Sequence, residues 1–174
     1  MGGRTLVVGL GNPILGDDGV GWHVVDAVEQ GIGIRGDVSI ERASLGGLAL
    51  MELLLGFERA VIVDAAHTGR RAVGTVTSQS LADLPDPAAG YTSSAHDTSL
   101  ATALATGRAL GAVLPHDVEV VTVEIPPAFE FSESLSPPVA AAVAAATEHT
   151  LTYVRDATRR GSTPGRDGGT HGIP

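Results

Sequence analysis

Two adjacent carboxylates, Asp17 and Asp18, lie inside the glycine-rich run Gly9-Leu-Gly-Asn-Pro-Ile-Leu-Gly-Asp-Asp-Gly-Val-Gly21, directly behind the apolar stretch Leu6-Val7-Val8. Two further polar residues fall where strands or loops should converge. Asp64 ends the apolar run Ala60–Val63, and His96 stands in Ser93-Ser-Ala-His-Asp97 at an expected helix start. Two carboxylates and one imidazole, Asp18, Asp64 and His96, are a good ligand set for a divalent transition metal. Three protein ligands leave open positions for water or a substrate group. Gly9 and Gly11 let the backbone turn sharply where a Cβ would clash. Open α/β sheets usually place their sites in such loops, at the C-terminal ends of strands. A phosphate would want bare glycine amides there, whereas adjacent carboxylates repel one and suit a cation.

Each of these residues also has a plainer reading. Asp17 or Asp18 could cap the helix that follows, Asp64 could be a turn residue, and His96 could be a helix-start histidine. The expected division gives the chemistry to Asp18 and the helix cap to Asp17. His67, three residues past Asp64, is an alternative ligand or a neighbour of one, while His23, His116 and His149 read as surface residues. Trp22 reads either as a partner anchor or as a half-buried residue at a helix end. No Gly-x-Ser-x-Gly elbow is present, and with no cysteine a thiol enzyme is impossible. The aspartates could instead share a proton as a paired-carboxylate acid/base site.

The elements expected to position these residues alternate strand and helix. They read as a single-domain, three-layer α/β sandwich: a mostly parallel, twisted sheet of about five strands with helices on both faces. Arg4–Leu10 reads as a buried strand, and Gly19–Gln30 as a helix with Val20, Val24, Val25 and Val28 on one face. Val38–Ala43 reads as a strand, Leu48–Leu55 as a short helix buried nearly all round, and Ala60–Val63 as a third strand. Gly74–Ser78 suits an edge strand, residues 79–95 a long loop, Thr98–Leu110 a helix and Val118–Val123 a strand. Ser136 before Pro137 is a good helix start. The domain is expected over residues 1–157, with 158–174 a disordered tail.

Composition narrows the function classes. The net charge of −9 argues against a nucleic-acid partner, and all eleven basic residues are Arg, so no lysine chemistry is available. No stretch approaches the roughly 20 apolar residues of a membrane span. With no signal peptide recognised, a cytoplasmic protein is expected.

The run Gly9-x-Gly-Asn-x-x-x-x-Asp-Asp-Gly-x-Gly21 resembles the N-terminal signature of the hydrogenase maturation proteases. Ser44-Leu-Gly-Gly-Leu, Val61-Ile-Val-Asp64-Ala, Gly74-Thr75-Val76, Ser94-Ala-His96-Asp97 and Leu135-Ser-Pro137 are similar to further family segments, in the same order. The similarity covers roughly residues 4–156. The resemblance implies metal ligands at Asp18, Asp64 and His96, with Asp18 and Asp64 also the catalytic candidates of an aspartic-type endopeptidase. It further implies a partner, the large-subunit precursor of a [NiFe] hydrogenase. Its nickel is the metal recognised, and its C-terminal extension is removed. The chain departs from the family at Val123-Glu-Ile-Pro126, where Gly-Ile-Glu-Pro is usual, and at Ser132 and Ser134, where glycines are common. Those departures bear on the 124–135 loop and leave the ligand positions untouched.

Three other readings compete. A peptidyl-tRNA hydrolase shares Gly-Leu-Gly-Asn-Pro, but here Gly16-Asp17-Asp18-Gly19 follows. A dinucleotide-binding loop would need a glycine where Ile14 stands. A metal-sensing chaperone that binds the precursor without cutting it would carry the same ligands as the protease.

Overall fold

The computed structural model describes residues 4–33, 36–83, 95–127 and 131–161, with residues 95–99, 101, 160 and 161 described at the backbone only. The apolar run behind the glycine loop forms strand β1 (Thr5–Leu10), buried along its whole length. A 3-10 turn at Gly16–Gly19 leads into helix α1 (Val20–Ile32), which buries the expected stripe of Val20, Val24, Val25 and Val28. There follow β2 (Val38–Ala43), α2 (Gly47–Leu53), β3 (Arg59–Ala66), β4 (Val76–Ser80), α3 (Ala95–Ala109), β5 (Asp117–Glu124) and α4 (Pro137–Gly161).

The sheet order is β2-β1-β3-β5-β4, parallel except for β4, which pairs antiparallel with β5 at the edge. Strand residues alternate between two cores. Val7, Val61, Val63, Val121 and Val123 pack under α1 and α4, and Leu6, Val8, Leu10, Ala60 and Ile62 pack under α2 and α3. Each fully buried Val or Leu contributes about 1.5–3 kcal/mol. The single-domain, three-layer sandwich read from the sequence is therefore the observed architecture.

Several local expectations change. Asp64 does not end its strand, because β3 runs two residues further and Asp64 pairs with Thr122 of β5. Helix α2 buries Leu50 and Met51 but leaves Leu48 exposed, so it is one-sided and not buried all round. The expected loop over 79–95 begins as the end of β4 and a 3-10 turn at Leu81–Asp83. Residues 84–94 of that loop lie outside the described residues, and Ala95 opens α3, three residues before the expected helix start at Thr98. Helix α4 continues to Gly161, so the expected boundary at 157 falls inside it.

Candidate functional site

In this strand order β1 connects to β2 on one side and has β3 on the other. Helices α1 and α2, which make the two successive connections, lie on opposite faces. Adjacent strands whose connections diverge in this way open a crevice at their C-terminal ends. Asp18 follows β1 and Asp64 lies on β3, so the two carboxylates flank that crevice.

Two glycines let backbone approach backbone at this edge. Gly11 has φ +132°, and a side chain there would overlap the carbonyl oxygen of Asp18. A methyl group on Gly21 would sit 2.6 Å from the Val63 carbonyl oxygen and would also strike the Leu10 carbonyl. The first turn of α1 thus rests on the ends of β1 and β3, and the 3-10 turn carrying Asp18 packs against β3.

Backbone donors fix both carboxylates. The Asn12 N–H donates to Asp18 Oδ2 at 2.7 Å, so Asp18 closes its own loop. The Ala65 N–H donates to Asp64 Oδ1 at 2.9 Å, and Asp64 is only 1% exposed. Alternation along β3 places Asp64 with Ala60 and Ile62 on the α2–α3 face. Helix α3 buries Leu100 and Leu104 on that face and leads through a short turn into the start of β5. Its first turn, with His96, therefore lies at the C-terminal edge of the sheet. The side chain of His96 lies outside the described residues. Among those described, no three His, Asp or Glu side chains form a group able to hold a metal ion.

Asp17 does not do the task expected of it. Neither the 3-10 turn nor α1 has a side-chain cap. Asp17 instead accepts from the Ser136 N–H (2.6 Å) and Ser136 Oγ (2.8 Å), at the start of α4. Geometry explains the change, since in the compact 3-10 turn the carboxylate faces across to the chain entering α4. A parallel bridge between Leu15 and Ser132 reinforces the tie, with Gly16 N–H donating to the Ser132 carbonyl at 2.7 Å.

Sequence reasoning missed the role of Glu124. At 3% exposure its carboxylate accepts from the N–H groups of Thr68 and Gly69, each at 2.8 Å, and from Thr68 Oγ1. It pins the segment leaving β3 just beyond Asp64. An acid directly after the strand-like run Val118–Val123, in place of the family's usual residue, was the available signal. His67, next to Thr68, is exposed. Trp22 is half-buried, and its Nε1–H donates to the Ala43 carbonyl at 3.3 Å, which favours the helix-end reading over a partner anchor.

A family model described as hydrogenase maturation protease matches residues 22–153. The chain belongs to the hydrogenase maturation protease family. The matched span begins just past the Gly9–Gly21 loop, so membership does not depend on that motif. The protease is 31% identical over 155 residues to the hydrogenase 2 maturation protease of Escherichia coli K12, covering 88% of this chain and 92% of that one. Among solved structures it resembles the hydrogenase maturating endopeptidase HybD of E. coli, with TM-score 0.73, 30% identity and coverage of 88% and 93% of the two chains. A solution structure of an E. coli endopeptidase gives TM-score 0.74 at 28% identity, with the same coverage. The protease is accordingly a peptidase of hydrogenase maturation. The peptidyl-tRNA hydrolase, dinucleotide-binding and non-cutting chaperone readings fall away. No helix among its described residues is long and apolar enough to cross a membrane.

Proposed function

We propose that this protease removes the C-terminal extension from the nickel-loaded large-subunit precursor of a [NiFe] hydrogenase, in the cytoplasm. The nickel belongs to the precursor and enters with it as part of the substrate. The observation that carries the reading is the placement of Asp18 and Asp64 on either side of the crevice between β1 and β3. Each is held there by a backbone N–H.

Asp18, Asp64 and His96 are the side chains assigned to the docked metal centre. A carboxylate has about four lone-pair positions, so accepting one N–H is compatible with also ligating a cation. Two carboxylates and an imidazole suit a borderline divalent ion such as nickel. Peptide hydrolysis also needs a group to take the proton of the attacking water, and Asp18 and Asp64 are the carboxylates at this edge suited to it. Their fixed positions supply orientation before the substrate arrives, which lowers the reorganisation needed during reaction.

The test incubates the purified protease with nickel-loaded and nickel-free precursor and follows the mass of the large subunit. A loss of mass in the loaded sample alone is expected. Asp64→Asn should slow that cleavage by about 100-fold or more, the lower end of what a positioned acid–base group contributes. Unchanged processing by Asp64→Asn would sink the assignment.

A further inference from the structure

The segment that enters α4 carries an aromatic side chain almost wholly in solvent. Phe131, one of only three phenylalanines in the chain, is 89% exposed. Its neighbour across the Leu15–Ser132 bridge is Ile14, itself 51% exposed. The backbone beneath both is fixed. Ser132 N–H donates to the Ile14 carbonyl at 3.1 Å, Gly16 N–H donates to the Ser132 carbonyl, and Asp17 grips Ser136. The same loop carries Asp18 four residues after Ile14, and the segment carrying Phe131 is hydrogen-bonded to it through Ser132 and Ser136, so the apolar pair stands on the two segments that hold Asp18 in place.

An exposed aromatic on a preorganised backbone beside a site that acts on a protein has the features of a binding hot spot. Aromatic anchors dominate interface energetics, and rigid placement limits the entropy lost on binding. We infer that Phe131 and Ile14 form an apolar lip that grips the substrate polypeptide next to Asp18, taking an apolar side chain of the precursor segment bound there. The inference rests on the Asp18–Asp64 reading of the site and adds to it the residues that hold the polypeptide. Phe131 is a binding and specificity residue that takes no part in bond cleavage.

A comparable exposed apolar pair exists at the other end of the strands. Leu110 and Val113, in the turn between α3 and β5, are 82% and 74% exposed. They provide an internal control with the same chemistry and no connection to the site.

The experiment measures cleavage of the nickel-loaded precursor by the full-length protease over a range of precursor concentrations. Phe131→Ala should raise the half-saturating concentration about tenfold, the effect of losing one hot-spot side chain, with kcat within about twofold. Ile14→Ala should act in the same direction and less strongly, and Leu110→Ala should change neither constant. An unchanged half-saturating concentration for Phe131→Ala, or an equal effect from Leu110→Ala, overturns the lip. A wild-type homodimer that dissociates on Phe131→Ala, seen by analytical ultracentrifugation, also overturns it, because the pair would then cover a second copy. Binding of the precursor to Asp64→Asn, with and without Phe131→Ala, separates the two assignments. If Asp64→Asn still cleaves while Phe131→Ala weakens binding, the catalytic assignment fails and the lip stands.

Discussion

At the C-terminal ends of the parallel strands, backbone lies against backbone: Gly11 beside Asp18, Gly21 over Val63 and Leu10, and the carboxylates of Asp17, Asp18, Asp64 and Glu124 each met by an N–H or hydroxyl donor. Toward the opposite end, between α4 and the β4–β5 edge, lies a cavity of about 710 Å³ lined by Asp117, Glu119, Glu148, His149, Tyr153 and Asp156. The cavity gathers several ionisable groups, yet Glu148, His149 and Asp156 are exposed on the surface of α4. At the tight edge the carboxylates have lost their freedom before any ligand arrives. Preorganised groups do chemistry better than accumulated ones, because their ordering does not have to happen on binding. Volume and acidity describe a hollow, whereas fixed donors describe carboxylates already ordered.

Substitutions that disturb the tight edge should therefore far outweigh those in the cavity. Gly11→Ala has the largest expected effect, since it combines an unfavourable φ with overlap of the Asp18 carbonyl. A loss of about 3 kcal/mol or more follows from strain and overpacking together, read as a lowered denaturant midpoint, with cleavage lost as well. Asp17→Ala comes next. Removing the acceptor of two Ser136 donors should cost about 1–2 kcal/mol in urea unfolding and should lower the cleavage rate, because the Asp18 loop loses its tie to α4. The smallest effect belongs to the cavity: Glu148→Gln with Asp156→Asn should leave stability within about 0.5 kcal/mol and precursor cleavage unchanged. A cleavage defect in that double variant as large as that of Asp17→Ala would erase the contrast between the two ends.

Much of this arrangement was legible in the residues because it depends on local pattern. The Val20–Val28 stripe specifies α1, and the uninterrupted apolar runs Leu6–Val8 and Ala60–Val63 specify the buried strands β1 and β3. The adjacent aspartates in a glycine turn were expected at the C-terminal edge of the sheet, and the turn lies there, directly after β1. What sequence could not supply was pairing over distance. Nothing near Asp17 says that its partner is Ser136, so the nearer helix looked like its natural target. Asp64 seemed to end its strand because polarity interrupts the pattern there. In the fold, β3 continues because Ala65 and Ala66 keep pairing with β5. Glu124 looked like a family departure, and only the course of the chain from Thr68 to Gly69 gives its carboxylate donors.

The Asp17–Ser136 tie joins residues 119 positions apart. During synthesis Asp17 leaves the ribosome long before its partner exists, so the tie has to wait for Ser136, 119 positions further on. The turn that presents Asp18 is braced only once α4 has begun to dock. The edge that presents Asp18 consequently cannot be completed until the chain has been made past Ser136.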